Sequence, residues 1–362
     1  QVYTLSGRKV NRNQLFSEPN IGAILSHLYG SRNGLPGYIA VPGITRPGPP
    51  PHNLFVGGWL GNQYAPFCVG GRPEQPDFTV GKKLDNPPSE ISEDLSPREL
   101  IYPDGLSRGR LGRRLGLREG LKRAAREAEN DRRLSAIEGH YGNALNMLLS
   151  PKVRQAFDFS GESVALRDDY GRTKIGGRCL QARRLVEAGS SFVTVAMENP
   201  FISGVKSPKR GFYNWDSHAV NCDLWVDARH RFPIYDRAIT ALIEDLHDRR
   251  LTEKVLLVVT GEFGRSPKIS RADTRRNGLC HGREHWPQAM SVLVCGGGMQ
   301  HGQVVGSTNA KGEHPHDRPL TPNDLWATVY KHLGIDQNAT ITDYNGRPQH
   351  LLPFGNPIRE LI

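Results

Sequence analysis

Carboxylates and imidazoles recur together in the second half of this 362-residue chain. In NWDSH (214–218), Asp216 and His218 stand two apart, and an extended or turning segment lets both side chains reach one point. In VLLVVTGEFGRSPKI (255–269), Glu262 and Arg265 come directly after an apolar, β-branched run. HGREHW (281–286) holds His281, Glu284 and His285, and GEHPHDRP (312–319) holds His314, His316 and Asp317. Carboxylate with imidazole suits a divalent ion such as zinc, whereas carboxylates alone suit magnesium or calcium better. In open α/β sheets, ligands bind outside the carboxyl ends of the strands. Clusters placed next to strand-like runs therefore point to one shared metal site.

The HGREH segment also matches H-x-x-E-H, the inverted zinc-peptidase motif. That chemistry needs a helix, so that both histidines lie one turn apart on one face. Gly278, Gly282 and Pro287 bracket the motif and predict a loop instead. No G-x-S-x-G elbow and no phosphate-binding P-loop occurs, and CGGGMQHG (295–302) lacks the dinucleotide spacing.

The elements that must position these residues alternate in type. IGAILSHLYG (21–30) has an apolar helical face, and GYIAV (37–41) reads as a short strand. PGITRPGPPP (42–51) excludes regular structure, because proline fixes φ and lacks a donor. Residues 43–160 read as an excursion from the core, with helical patterns over 117–158 that break near 150–152. From residue 172 the pattern predicts a helix ending at Gly189, a strand over 191–197 and a helix over 232–251. Strands over 255–260 and 290–295 and a helix over 321–335 follow. This spacing predicts a largely parallel sheet covered by helices, its core half spanning 172–335.

Composition narrows the partners. Net charge is +10, and residues 108–133 carry ten Lys/Arg against four Asp/Glu, a net of +6. No aromatic residue interleaves there, so the segment reads as a solvated helix face and no nucleic-acid partner is expected. No run is long and apolar enough for a membrane span. The five cysteines form no C-x-x-C pair, which argues against a thiolate zinc site.

NWDSH, VVTGEFGRSPKI, GREHWPQAMSVLVCGGGMQHGQVVGST and DRPLTPNDLWATVYKHLGID resemble, in that order, the signature segments of bacterial domain-of-unknown-function family 1501. IGAILSHLYGSRNGLPGYIAVP and the terminal GNPIRELI are similar to it as well. The family is described as sulfatase-like and placed in the alkaline phosphatase superfamily. The resemblance implies a single domain over 1–362, built as a three-layer α/β/α sandwich with two divalent metals. Asp216, His218 and His285 resemble the ligands of one metal, and Glu262 resembles the first of an Asp-His pair at the other. Phe263 follows Glu262, where the superfamily has His. Arg265 is then a candidate oxyanion clamp, Glu284 a partner orienting His285, and His281 a lesser candidate ligand.

YTLSGR (3–8) resembles the end of the nucleophile helix, so the resemblance sets the nucleophile before Gln1 and implies a chain truncated at its amino terminus. The activity implied is metal-dependent hydrolysis of a small-molecule or polysaccharide phosphate or sulfate ester, in the periplasm or outside the cell. The alternatives are a non-catalytic metal- or carbohydrate-binding relative with a degenerate site, or the H-x-x-E-H peptidase.

Overall fold

The computed structural model describes residues 2–42, 55–69, 107, 109–113, 116, 147, 149–197, 210–211, 215–275 and 277–362. Most of the 43–160 excursion and of the basic stretch at 108–133 lies outside these residues. The helices are α1 (Val2–Ser6), α2 (Ile21–Tyr29), α3 (Pro151–Phe157), α4 (Val164–Asp169), α5 (Lys174–Ala188), α6 (Leu224–Asp248) and α7 (Pro322–His332). The strands are β1 (Tyr38–Val41), β2 (Phe67–Cys68), β3 (Phe192–Val195), β4 (Leu256–Val259), β5 (Gly264–Arg265), β6 (Ser270–Thr274) and β7 (Gly278–Gly282). They continue with β8 (His285–Trp286), β9 (Leu293–Gly296), β10 (Ser307–Thr308), β11 (Pro315–Asp317), β12 (Thr340–Thr342) and β13 (Pro348–His350).

Local signals account for most helix ends. Asn20, Ser150, Thr173, Asp223 and Thr321 each cap a helix by accepting a backbone N–H, which satisfies a donor the first turn leaves open. Gly189 closes α5 in the left-handed conformation. The helix expected from 232 begins earlier, at Leu224. Asp223 caps it, and Pro233 lies inside it rather than at its first turn.

The fold is mixed α/β, with a short parallel sheet of order β2-β1-β3 and several two-stranded sheets. Helices cover both faces of the parallel sheet. Ile39, Val41 and Val193 pack with Leu185 of α5 and with Val153 and Phe157 of α3. Phe192 packs against the cluster that holds Ile24 and Leu25 of α2 and Trp326 and Tyr330 of α7. Side chains alternate along β4 in the same way. Leu256 and Val258 join the α2–α7 cluster, while Leu257 joins the cluster between α5 and α6.

A largely parallel sheet was expected to include β4 and β9; instead these two pair antiparallel, Leu256 opposite Gly296 and Val259 opposite Leu293. A parallel return needs a crossover, usually a helix. The chain between them instead pairs inward on itself. β5 pairs with β8 and β6 with β7, both antiparallel, so β4 to β9 is one long interrupted hairpin arm.

Candidate metal centre

Asp216, His218 and His285 each offer a ligand atom, and these atoms lie within 4.8 Å of one another. Nδ1 of His218 is 2.6 Å and Nε2 of His285 is 3.2 Å from the same oxygen, Asp216 Oδ1. The two imidazole centroids are 4.7 Å apart. One carboxylate and two imidazoles make a donor set whose chemistry suits a zinc-type ion. Three protein donors match the sites that leave one position for water or substrate.

Two structures converge to make the group. The loop before α6 carries Asp216 and His218, and the hairpin arm carries His285. They meet closely because of Gly282: a Cβ there would stand 2.1 Å from the Ala219 nitrogen and 2.6 Å from the His218 carbonyl carbon. The backbones are then tied by the Arg283 N–H, which donates to the Ser217 carbonyl at 2.8 Å.

The Asp216 carboxylate is divided between two tasks. Oδ2 accepts from Asn221 Nδ2 at 3.2 Å, which leaves Oδ1 aimed at the imidazoles. Partial burial alone would raise its pKa. His218, His285 and Arg265 outweigh that and hold the carboxyl below its ordinary range.

Arg265 stands beside the group with its guanidinium engaged. It donates to Asp216 Oδ1 at 3.1 Å, to the Trp215 carbonyl at 2.7 Å and to the Arg283 carbonyl at 3.3 Å. Phe263 lies against His285 at 4.4 Å between ring centroids.

Glu284 serves a different histidine from the one expected. Its Oε2 is 2.9 Å from Nε2 of His218, and its Oε1 accepts from Ser270. Successive side chains along extended backbone point to opposite sides, so Glu284 is poorly placed to orient the adjacent His285 and reaches across to the loop.

His281 is outside the three-ligand group. Its ring Nδ1 and backbone N–H both face Asp223 Oδ2, at 3.2 and 3.1 Å. The H-x-x-E-H segment lies on β7 and β8, not on a helix. Glu262 is exposed and also outside the group; its carbonyl accepts from the Thr4 hydroxyl at 3.0 Å. His314 and His316 are exposed near β11, and the His314 ring is 6.0 Å from that of Trp286. Sequence reasoning missed Asn221 and Trp215 as supports of Asp216. A small amide five residues downstream carries no pattern that would have revealed it.

Among the described residues no helix is long and apolar enough to cross a membrane. No curated protein and no solved structure matches the chain. The profile of one family does match, over residues 2–362. The segments that build the loop and the arm are those that resemble its signatures, and the chain belongs to the family described as Protein of unknown function (DUF1501).

Proposed function

We propose that the protein is a metal-dependent hydrolase of phosphate or sulfate esters, on an alkaline phosphatase-like three-layer scaffold. The observation that carries the reading is the convergence of Asp216, His218 and His285 within 4.8 Å. The helices on both faces of the parallel sheet support the scaffold. Zinc is the favoured ion for one carboxylate with two imidazoles, with calcium or magnesium as alternatives.

Asp216, His218 and His285 would hold the ion. When bound, it would supply Lewis-acid stabilisation of charge on a phosphoryl or sulfuryl oxygen. Glu284 accepts a hydrogen bond from the Nε2–H of His218, which leaves the Nδ1 lone pair free for an ion. Asn221 and Arg265 keep the Asp216 carboxylate turned toward the imidazoles. For Arg265 to act as an oxyanion clamp, Nη1 would have to leave Asp216 Oδ1. An exported protein acting on a small-molecule or polysaccharide ester completes the reading.

Zinc titration of the present chain, with wild type and Asp216→Ala, tests the site. Binding by wild type and its loss in the variant is expected; equal binding by both sinks the reading. Hydrolysis of an aryl phosphate and an aryl sulfate by the zinc-loaded protein tests the chemistry. The rival reading is a non-catalytic binding protein with a degenerate site, favoured by Phe263, which stands where the superfamily has His and lies against His285. It predicts zinc uptake without turnover of either ester.

A further inference from the structure

Trp215 precedes Asp216 and holds a φ of +27°. For a bulky residue this is an outlier, and such backbone persists only where its surroundings over-determine it. Three sets of contacts do so. The indole Nε1 donates to the Met197 carbonyl at 2.6 Å, an oxygen that the Tyr235 hydroxyl also reaches. The ring stands edge-on to Tyr235 at 4.4 Å, stacks with Phe232 at 6.1 Å and has the Arg231 guanidinium 5.1 Å from its centroid. Its own carbonyl accepts from Arg265 Nη2, on the guanidinium whose Nη1 reaches Asp216.

These contacts come from three directions: the chain just beyond β3, the helix α6 and the strand β5. All fix the peptide from which Asp216 springs. A change in φ or ψ at residue 215 would swing the Asp216 side chain away from Nδ1 of His218 and Nε2 of His285. Packing alone does not account for the residue, because 39% of it remains exposed.

We infer that Trp215 is the positioning residue of the three-ligand group, holding Asp216 Oδ1 on the two imidazoles before any ion arrives. This rests on the metal-binding reading above. The consequence is that zinc affinity depends on an indole N–H that contacts no ligand atom.

The test compares wild type, W215F and Y235F by zinc calorimetry and by the visible absorption of the cobalt(II) form. W215F keeps a ring against Phe232 and Tyr235 but lacks the donor to Met197. It is expected to bind zinc about tenfold more weakly or worse, as outer partners of metal ligands do when lost. Its cobalt band should shift or weaken, while the unfolding midpoint of the metal-free protein stays within about 2 °C of wild type. Y235F leaves the Trp215 bond and the edge-on ring in place and should lose less affinity than W215F. Should W215F not fold, W215Y keeps a large ring without the indole N–H and carries the same expectation. Wild-type affinity and spectrum in W215F overturn the positioning role alone. A wild type that takes up neither zinc nor cobalt overturns the metal reading and this inference with it.

Discussion

Arg265 and His285 are direct partners in the antiparallel register of β5 and β8. One rung of the hairpin arm thus presents an imidazole of the three-residue group from one strand and, from the other, the cation that grips Asp216 at 3.1 Å. Arm and loop are joined as a unit, so errors in the arm should reach the Asp216, His218 and His285 group.

Glu284→Gln keeps the size of the side chain and removes its charge. A neutral amide oxygen holds the Nε2–H of His218 less strongly, so the tautomer with Nδ1 free is favoured less. Zinc affinity should fall about tenfold, with little change in folding stability. Calorimetry on the variant checks this, and unchanged affinity refutes the assignment of Glu284 to His218.

Gly282→Ala places a methyl where the Ala219 nitrogen stands 2.1 Å from the ideal Cβ. The three nearest atoms, from Ala219, His218 and Ser217, are all backbone, so the loop holding Asp216 and His218 must move. Stability should fall by about 1–3 kcal/mol, and zinc affinity should drop. Urea unfolding and zinc titration measure the two effects separately.

Asp223 caps α6 through the Trp225 and Val226 amides and also accepts from the His281 N–H. Asp223→Ala should cost about 1 kcal/mol or more, the usual loss for a cap. His281→Ala removes only a ring from that carboxylate and should leave zinc affinity at the wild-type value. A large loss of zinc in His281→Ala would instead favour the peptidase reading.

Between α5 and α6, Arg183 is buried with Asp245 at 2.7 Å, Glu162 at 2.8 Å and Glu187 at 2.9 Å. Tyr170 also donates to Asp245, and burial pushes its own pKa up. Asp245→Ala strips a buried cation of a partner and a tyrosine of its acceptor. Loss of about 3–5 kcal/mol is expected in chemical denaturation. Arg183→Met in the same background should not recover it, because Glu162 and Glu187 then lose the cation they share.

Asp324 at the start of α7 accepts from the Asn356 amide at 2.9 Å and from the Thr321 amide at 2.8 Å. Burial raises its pKa, but these hydrogen bonds outweigh that and leave it below the ordinary carboxylate value. A depressed folded pKa contributes stability that is present above the unfolded pKa of about 3.9 and lost as pH falls through the folded value. Asp324→Asn should flatten the acid side of the stability profile below about pH 4, as followed by thermal unfolding across pH.

Several features were legible in the sequence because their causes are local. The start signal at Thr321 and the stop at Gly189 lie beside the helices they bound, and the apolar face of α2 repeats at helical spacing. The strands β1, β3 and β4 are short apolar runs. Asp216, His218 and His285 were legible as ligand types at short spacings within quoted motifs. The start of α6 was not, because Pro233 reads as a first-turn residue when Asp223 is not recognised as the cap ten positions earlier.

What tertiary structure alone decided is non-local. The antiparallel pairing of β4 with β9 depends on the chain between them closing on itself, and no window of sequence carries that. His285 reaches Asp216 across 69 positions only because the arm folds back and Gly282 lets the loop approach. Glu284 faces His218 rather than its neighbour because extended backbone sends adjacent side chains apart. The positive φ of Trp215 is held by residues from three other parts of the chain. Residue types and their local periodicity were thus determined by the sequence directly; which of them share one point in space was set by packing among distant segments.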